Sequence, residues 1–147
     1  MLFRSGSVAT PFTTATGTIQ GELAACQRYY YRQNASSEAT YAVFNTGAYY
    51  STTVYRGQTF FPITMRTKPT AIDISAYTNY VVIGYDDTVN ANPSSAAGAI
   101  AFDANETTAS TGYLIITMGS AVLTAAKPYI FRGNGTTSAY LGWSAEL

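Results

Sequence analysis

The chain carries no histidine and a single cysteine, Cys26. Without an imidazole there is no Ser-His-Asp or Cys-His relay, and the commonest zinc ligand is missing. One thiol makes no internal disulfide. Set between Ala25 and Gln27, Cys26 reads as a small buried hydrophobe rather than a nucleophile. Glycoside cleavage needs only two acids, and two pairs offer themselves: Asp86-Asp87, and Asp103 with Glu106. Both lie in turn-rich stretches, where Asp and Asn bond their own backbone. Neither shows the spaced ligands and closing glutamate of a calcium loop. Gly112, Gly119, Gly133 and Gly135 fit no phosphate-binding pattern. The expectation is no catalytic group, no metal and no cofactor.

Aromatic residues are the enriched feature. They come as Tyr29-Tyr30-Tyr31, Tyr49-Tyr50, Phe60-Phe61 and a lone Trp143. On a strand, adjacent side chains face opposite ways, so each doublet sends one ring inward and one outward. Outward rings on a weakly charged surface suit a protein interface or a sugar platform. Cross-strand aromatic packing inside an ordinary sheet uses the same residues.

The elements that hold these rings follow from composition. Of 147 residues, 22 are Thr, 22 Ala and 13 Tyr. Thr and Tyr fit a pleated surface, and a chain this long buries about two thirds of its unfolded surface. Charged residues make up 11%, eight basic and eight acidic, for zero net charge. That removes the electrostatic pull on which nucleic-acid binding depends and favours association. Arg28, Arg32, Arg56, Arg66 and Arg132 are scattered and form no basic run. No apolar run of about 7–15 residues marks a secretory leader near Met1, and no stretch is long enough for a membrane helix. Asn34, Asn105 and Asn134 match the glycosylation pattern, which a Thr-rich chain produces by chance.

Residues 1–20 are small and polar around Pro11 and read as an extended N-terminal arm; a disordered tail has the same composition. Residues 21–147 break into short runs spaced close to the ~8–12 residues of a sandwich or barrel. The runs are 22–32, 40–45, 49–56, 58–64, 70–75, 79–85, 98–102, 112–118, 128–132 and 138–146. Turns are expected at Asn45-Thr46-Gly47, Arg56-Gly57, Lys68-Pro69, Asp86-Asp87, Asn92-Pro93-Ser94 and Gly133-Asn134-Gly135. The last reads as a tight hairpin, since Gly and Asn accept positive φ. Alternation puts Ile72 and Ile74 on one face, and Ala139, Leu141, Trp143 and Ala145 on one face. Leu23, Cys26 and Tyr30 can form a helix face, but the tyrosines that follow favour strand. Ala96–Ala99 and Ala121–Ala126 can each hold a helical turn. The fold class is all-β: an antiparallel, jelly-roll-like β-sandwich behind an arm.

Three stretches carry a resemblance: Glu22 to Tyr31 (ELAACQRYYY), Phe61 to Thr70 (FPITMRTKPT) and Ala139 to Leu147 (AYLGWSAEL). In this order they resemble a family of tailed-bacteriophage virion proteins, β-sandwich domains of tail fibres and head decorations. The resemblance covers most of 21–147, excludes the arm and brings no catalytic residue. It implies attachment or assembly in the virion, commonly as trimers. A short arm with no stalk suits a capsid decoration, or cement, protein: a homotrimer that clamps the major capsid protein from outside the head. The partners are then further copies of the chain and the capsid, with no nucleic acid or membrane. The alternative is a receptor-binding tip or carbohydrate-binding module that stacks a glycan on outward rings. The candidate interface residues are Phe3, Arg4, Pro11, Phe12, Tyr29, Tyr31, Tyr49, Tyr50 and Trp143.

Overall fold

A computed structural model describes residues 15–84, 90–93, 99–120 and 127–146. The expectations for Phe3, Arg4, Pro11, Phe12, Asp86-Asp87 and the alanine runs starting at Ala96 and Ala121 lie outside the described residues.

The chain enters the sandwich through a helix, α1 (Ile19–Gln27). Here the structure corrects the sequence reading, which favoured strand from Glu22 and counted Ile19 and Gln20 in the arm. Local chemistry explains it. The Thr18 hydroxyl accepts from the Gly21 N–H at 3.0 Å, satisfying an otherwise orphaned donor. The Glu22 carboxylate accepts from the Thr16 N–H and hydroxyl, both at 2.9 Å, and lies at the helix end that favours negative charge. Leu23, Ala24 and Ala25 are strong helix formers. The helix stops at Arg28, and the tyrosines begin the sheet only after that.

Ten strands run through the described residues: β1 (Tyr30–Asn34), β2 (Val43–Ser51), β3 (Val54–Phe60), β4 (Ala71–Ile74), β5 (Tyr80–Gly84), β6 (Asn90–Ala91), β7 (Ile100–Phe102), β8 (Thr111–Thr117), β9 (Pro128–Gly133) and β10 (Tyr140–Ser144). They form a three-stranded sheet, β1-β10-β4, and a seven-stranded sheet, β6-β5-β9-β2-β3-β8-β7. All their pairings are antiparallel. First pairs with last and the next pairs nest inside: β1 with β10, β2 with β9, β3 with β8. This nesting is jelly-roll-like winding, so the all-β sandwich expected from the sequence is the fold.

Turn positions differ from expectation at two places. Asn45-Thr46-Gly47 and Arg56-Gly57 lie inside strands, and the chain reverses instead at Thr52-Thr53. The inner face explains why. Gly47 and Gly57 face each other across β2 and β3, and a Cβ on Gly57 would lie 2.4 Å from the Tyr55 hydroxyl. Gly57 thus makes room for the Tyr55 ring, while Gly47 lets the Arg56–Gly57 backbone of β3 approach closely. Gly133-Asn134-Gly135, expected as a hairpin, carries the chain from one sheet to the other, since β9 and β10 do not pair. Gly135 does take positive φ, at 68°. The corner is pinned by the Asn134 N–H donating to the Asn79 carbonyl at 2.9 Å.

The core lies between the sheets. Along β10 and its two flanking residues, Ala139, Leu141, Trp143 and Ala145 share one face, as alternation predicts, and the structure turns that face into the core. Ile72 and Ile74 pack half-buried against the same core. Trp143 meets Phe61 edge-on with centroids 5.5 Å apart, and Phe61 meets Tyr31 at 5.8 Å. Tyr80 stacks on Phe131 at 5.0 Å. Its hydroxyl accepts from the Ser75 N–H and hydroxyl, both at 2.9 Å, and donates to the Tyr140 carbonyl, tying the sheets together. A Cβ at Gly112 would lie 2.5 Å from the Trp143 ring, so the indole needs a glycine opposite it. Trp143→Ala is expected to cost about 3–5 kcal/mol and Gly112→Ala about 1–3 kcal/mol in urea unfolding. A cost below 1 kcal/mol for both, on the order of an exposed site, contradicts this packing.

Candidate functional site

Surface chemistry here begins with the outer face of the seven-stranded sheet. Register places Pro128, Ala48, Arg56, Ile115 and Ala101 in one row across β9, β2, β3, β8 and β7. The next row holds Ile130, Thr46, Gln58 and Tyr113. Period-two alternation turns both rows to one face, and Arg56 is their single charge. Phe60 (73% exposed) and Tyr50 (69% exposed) lie open at the surface. A face this wide and this weakly charged has the composition of an interface centre.

Tyr50 owes its position to a bulge. Tyr49 pairs with Tyr55 and Ser51 with Val54, leaving Tyr50 as the extra residue. Bulges re-aim side chains in this way. Arg56 lies over the Tyr50 ring, 4.3 Å from its centroid. Glu106 accepts from the Arg56 Nη1 at 3.2 Å, and Asp103 stands 3.9 Å from Nη2. The loop after β7 is fixed. Asp103 accepts from the Asn105 N–H at 2.9 Å, the turn bond expected of it, and the Thr107 hydroxyl accepts from the Tyr113 N–H at 3.1 Å. Lys68 donates to the Ala104 carbonyl at 2.8 Å. The two acids of this pair therefore share one guanidinium, an arrangement that holds charge rather than moving protons. Ala48, Tyr49, Tyr50, Arg56 and Tyr113 line a recess of about 170 Å³.

The three-stranded sheet has its own outer cluster. Tyr30 and Tyr140 both donate to the Asp73 carboxylate, at 2.9 and 3.3 Å. Arg32 lies over the Tyr140 ring at 3.7 Å. Gly142 leaves the floor open for the Tyr30 ring, which a Cβ would meet at 2.3 Å from its oxygen. Arg66 over Tyr29 (5.6 Å) and Arg132 over Tyr41 (4.8 Å) complete a set of four arginine–tyrosine stacks.

The stretches that carry the family resemblance meet at one end of this sheet. Arg66 donates through its N–H to the Arg28 carbonyl at 2.7 Å, and Ala145 to the Tyr29 carbonyl at 2.8 Å. Thr70 donates through its N–H to Ser144 at 2.8 Å, and the Thr67 hydroxyl reaches the Ala145 carbonyl at 3.2 Å. Segments far apart in the chain thus build one corner.

Of the expected interface residues, Tyr29 and Tyr50 are exposed, while Tyr31 and Tyr49 are half-buried against Phe61 and Tyr129. Trp143 is corrected: it is fully buried and unavailable to a partner. It shares the buried face of Leu141, two residues before it. Cys26, expected buried, is exposed, because no residue of α1 is buried. Sequence reasoning missed Ile19, Leu23, Val43 and Phe60 as exposed apolar residues; Phe60 was within reach through its doublet with the inward Phe61. Among the described residues there is no group of three or more metal-ligating side chains, and no helix is long and apolar enough to cross a membrane. Comparison with family models, curated proteins and solved structures finds no match.

Burial raises the phenol pKa of Tyr31, Tyr55 and Tyr80 above the ordinary value near 10. Tyr30 is raised by burial first, then by its bond to Asp73. A raised folded pKa gives stability that is complete below the unfolded value and is lost as pH rises above it. With no histidine to titrate, the urea midpoint is expected to stay flat from about pH 6 to 9 and to fall above about pH 10. A midpoint that moves between pH 6 and 8 contradicts this.

Proposed function

We propose that the protein is a bacteriophage structural protein. In this reading it is a capsid decoration protein, binding the outside of the head as a homotrimer and stabilising contacts between capsid subunits. It works by contact and performs no reaction. The observation that carries the reading is α1. A nine-residue helix is too short to hold itself in water, yet none of its residues is buried. Ile19 (82% exposed), Leu23 (56% exposed) and the exposed Cys26 fall at i, i+4 and i+7, one apolar stripe. Its acid, Glu22, is engaged by Thr16, so little charge opposes the approach of another copy.

The virion assignment rests on the resemblance carried by the three motif segments. A trimer of three times the 15.7 kDa chain is expected in sedimentation at micromolar protein. Leu23→Asp should weaken it by at least about tenfold while leaving the β-sheet spectrum intact. A wild-type monomer under these conditions contradicts the trimer. Deleting residues 1–14 is expected to lower capsid occupancy, and unchanged occupancy removes the arm as a clamp.

A further inference from the structure

The recess beside Arg56 is built differently from the flat face around it. Tyr50 and Tyr113 give it aromatic walls, Arg56 a cation, and Tyr49 its back. Its polar groups are under-used. A guanidinium has five N–H donors. Arg56 makes one hydrogen bond, to Glu106 at 3.2 Å, while Asp103 at 3.9 Å is beyond bonding distance, and the buried Nε has no partner among the described residues. Arg56 as a whole is half-buried, and leaving its donors unmade carries a desolvation cost. The hydroxyls of Tyr50 and Tyr113 also have no hydrogen-bond partner among the described residues. The backbone under the site is rigid: a paired sheet, a bulge, and a loop locked by Asp103 and Thr107.

We propose that this recess binds one ring of a neutral sugar. The chemistry selects the class. An aromatic wall takes the C–H face of a pyranose, and phenol and guanidinium groups take its hydroxyls. Charge argues against an anion: Arg56 is already faced by two carboxylates, Asp103 and Glu106, and with Lys68 bonded to the same loop the local charge is balanced, leaving no net positive charge for an anion. Size argues for a single ring, since about 170 Å³ is below the ~300–1,000 Å³ of sites for drug-sized ligands. The proposal stands apart from the trimer, because the recess is on the sheet face and α1 is not part of it.

Saturation-transfer NMR on the full chain tests it, with the methyl glycosides of glucose, galactose and N-acetylglucosamine at ~10 mM, as weak binding requires. The methyl glycoside of sialic acid serves as the anionic comparison. Transfer to at least one neutral glycoside is expected, with none to the sialoside. Tyr50→Ala should weaken binding about tenfold through loss of the stacking wall. Tyr50 is exposed, so this variant should keep the wild-type melting temperature and sedimentation. Arg56→Lys, which keeps the charge and loses the planar fork, should weaken binding as well. The proposal is overturned by no transfer to any neutral glycoside, by transfer to the sialoside alone, or by binding that Tyr50→Ala leaves unchanged.

Discussion

Aromatic rings lying where a glycine leaves room are what the sandwich depends on. The indole of Trp143 reaches across from the narrow sheet to Gly112 on the wide one. Tyr55 occupies the gap at Gly57, and donates to Asn45 at 2.7 Å. Tyr80 crosses the core to bond the backbone of the opposite sheet. Trp143 and Tyr55 fill volumes that a Cβ at the facing glycine would close, and the Tyr55 and Tyr80 hydroxyls each find a partner. Three strands are thereby held against seven without an internal disulfide.

The same device works outward. Tyr30 lies over Gly142 on the outer face and shares Asp73 with Tyr140, while arginines cover Tyr29, Tyr41, Tyr50 and Tyr140. Tyrosine gives large contact area at low entropic cost, and stacking on it lets arginine cover apolar surface while staying hydrated. Among the described residues, Arg32, Arg56, Arg66 and Arg132 lie in these stacks, and Arg56 also pairs with Glu106 and Asp103. A surface so made associates by shape and apolar contact. In the proposed reading, this connects the β-rich, charge-poor composition to holding assemblies together.

Much of the fold was legible because burial follows a period of two. The β10 stripe, the inward Ile72 and Ile74, and the split of Phe60 from Phe61 are all readable from alternation. What failed shares one cause: local turn and helix chemistry competing with tertiary demand. Gly47, Gly57 and Gly133 looked like turns, yet Gly47 admits a close backbone approach, Gly57 a ring, and Gly133 leads into a sheet crossing. The tyrosine triplet pulled α1 toward strand, although Thr18 and the alanines had already set a helix. The site was only half legible. Tyr50 stood out as an aromatic, and Asp103 with Glu106 as an acid pair. Their meeting at Arg56 depends on a bulge and a β7–β8 loop whose register no local pattern encodes.

Location tests the account most directly. Electron cryomicroscopy of phage particles carrying the protein should show threefold density on the outside of the head, shaped as three sandwiches joined through α1. Density at the tail tip, or isolated copies with α1 unpartnered, would contradict it.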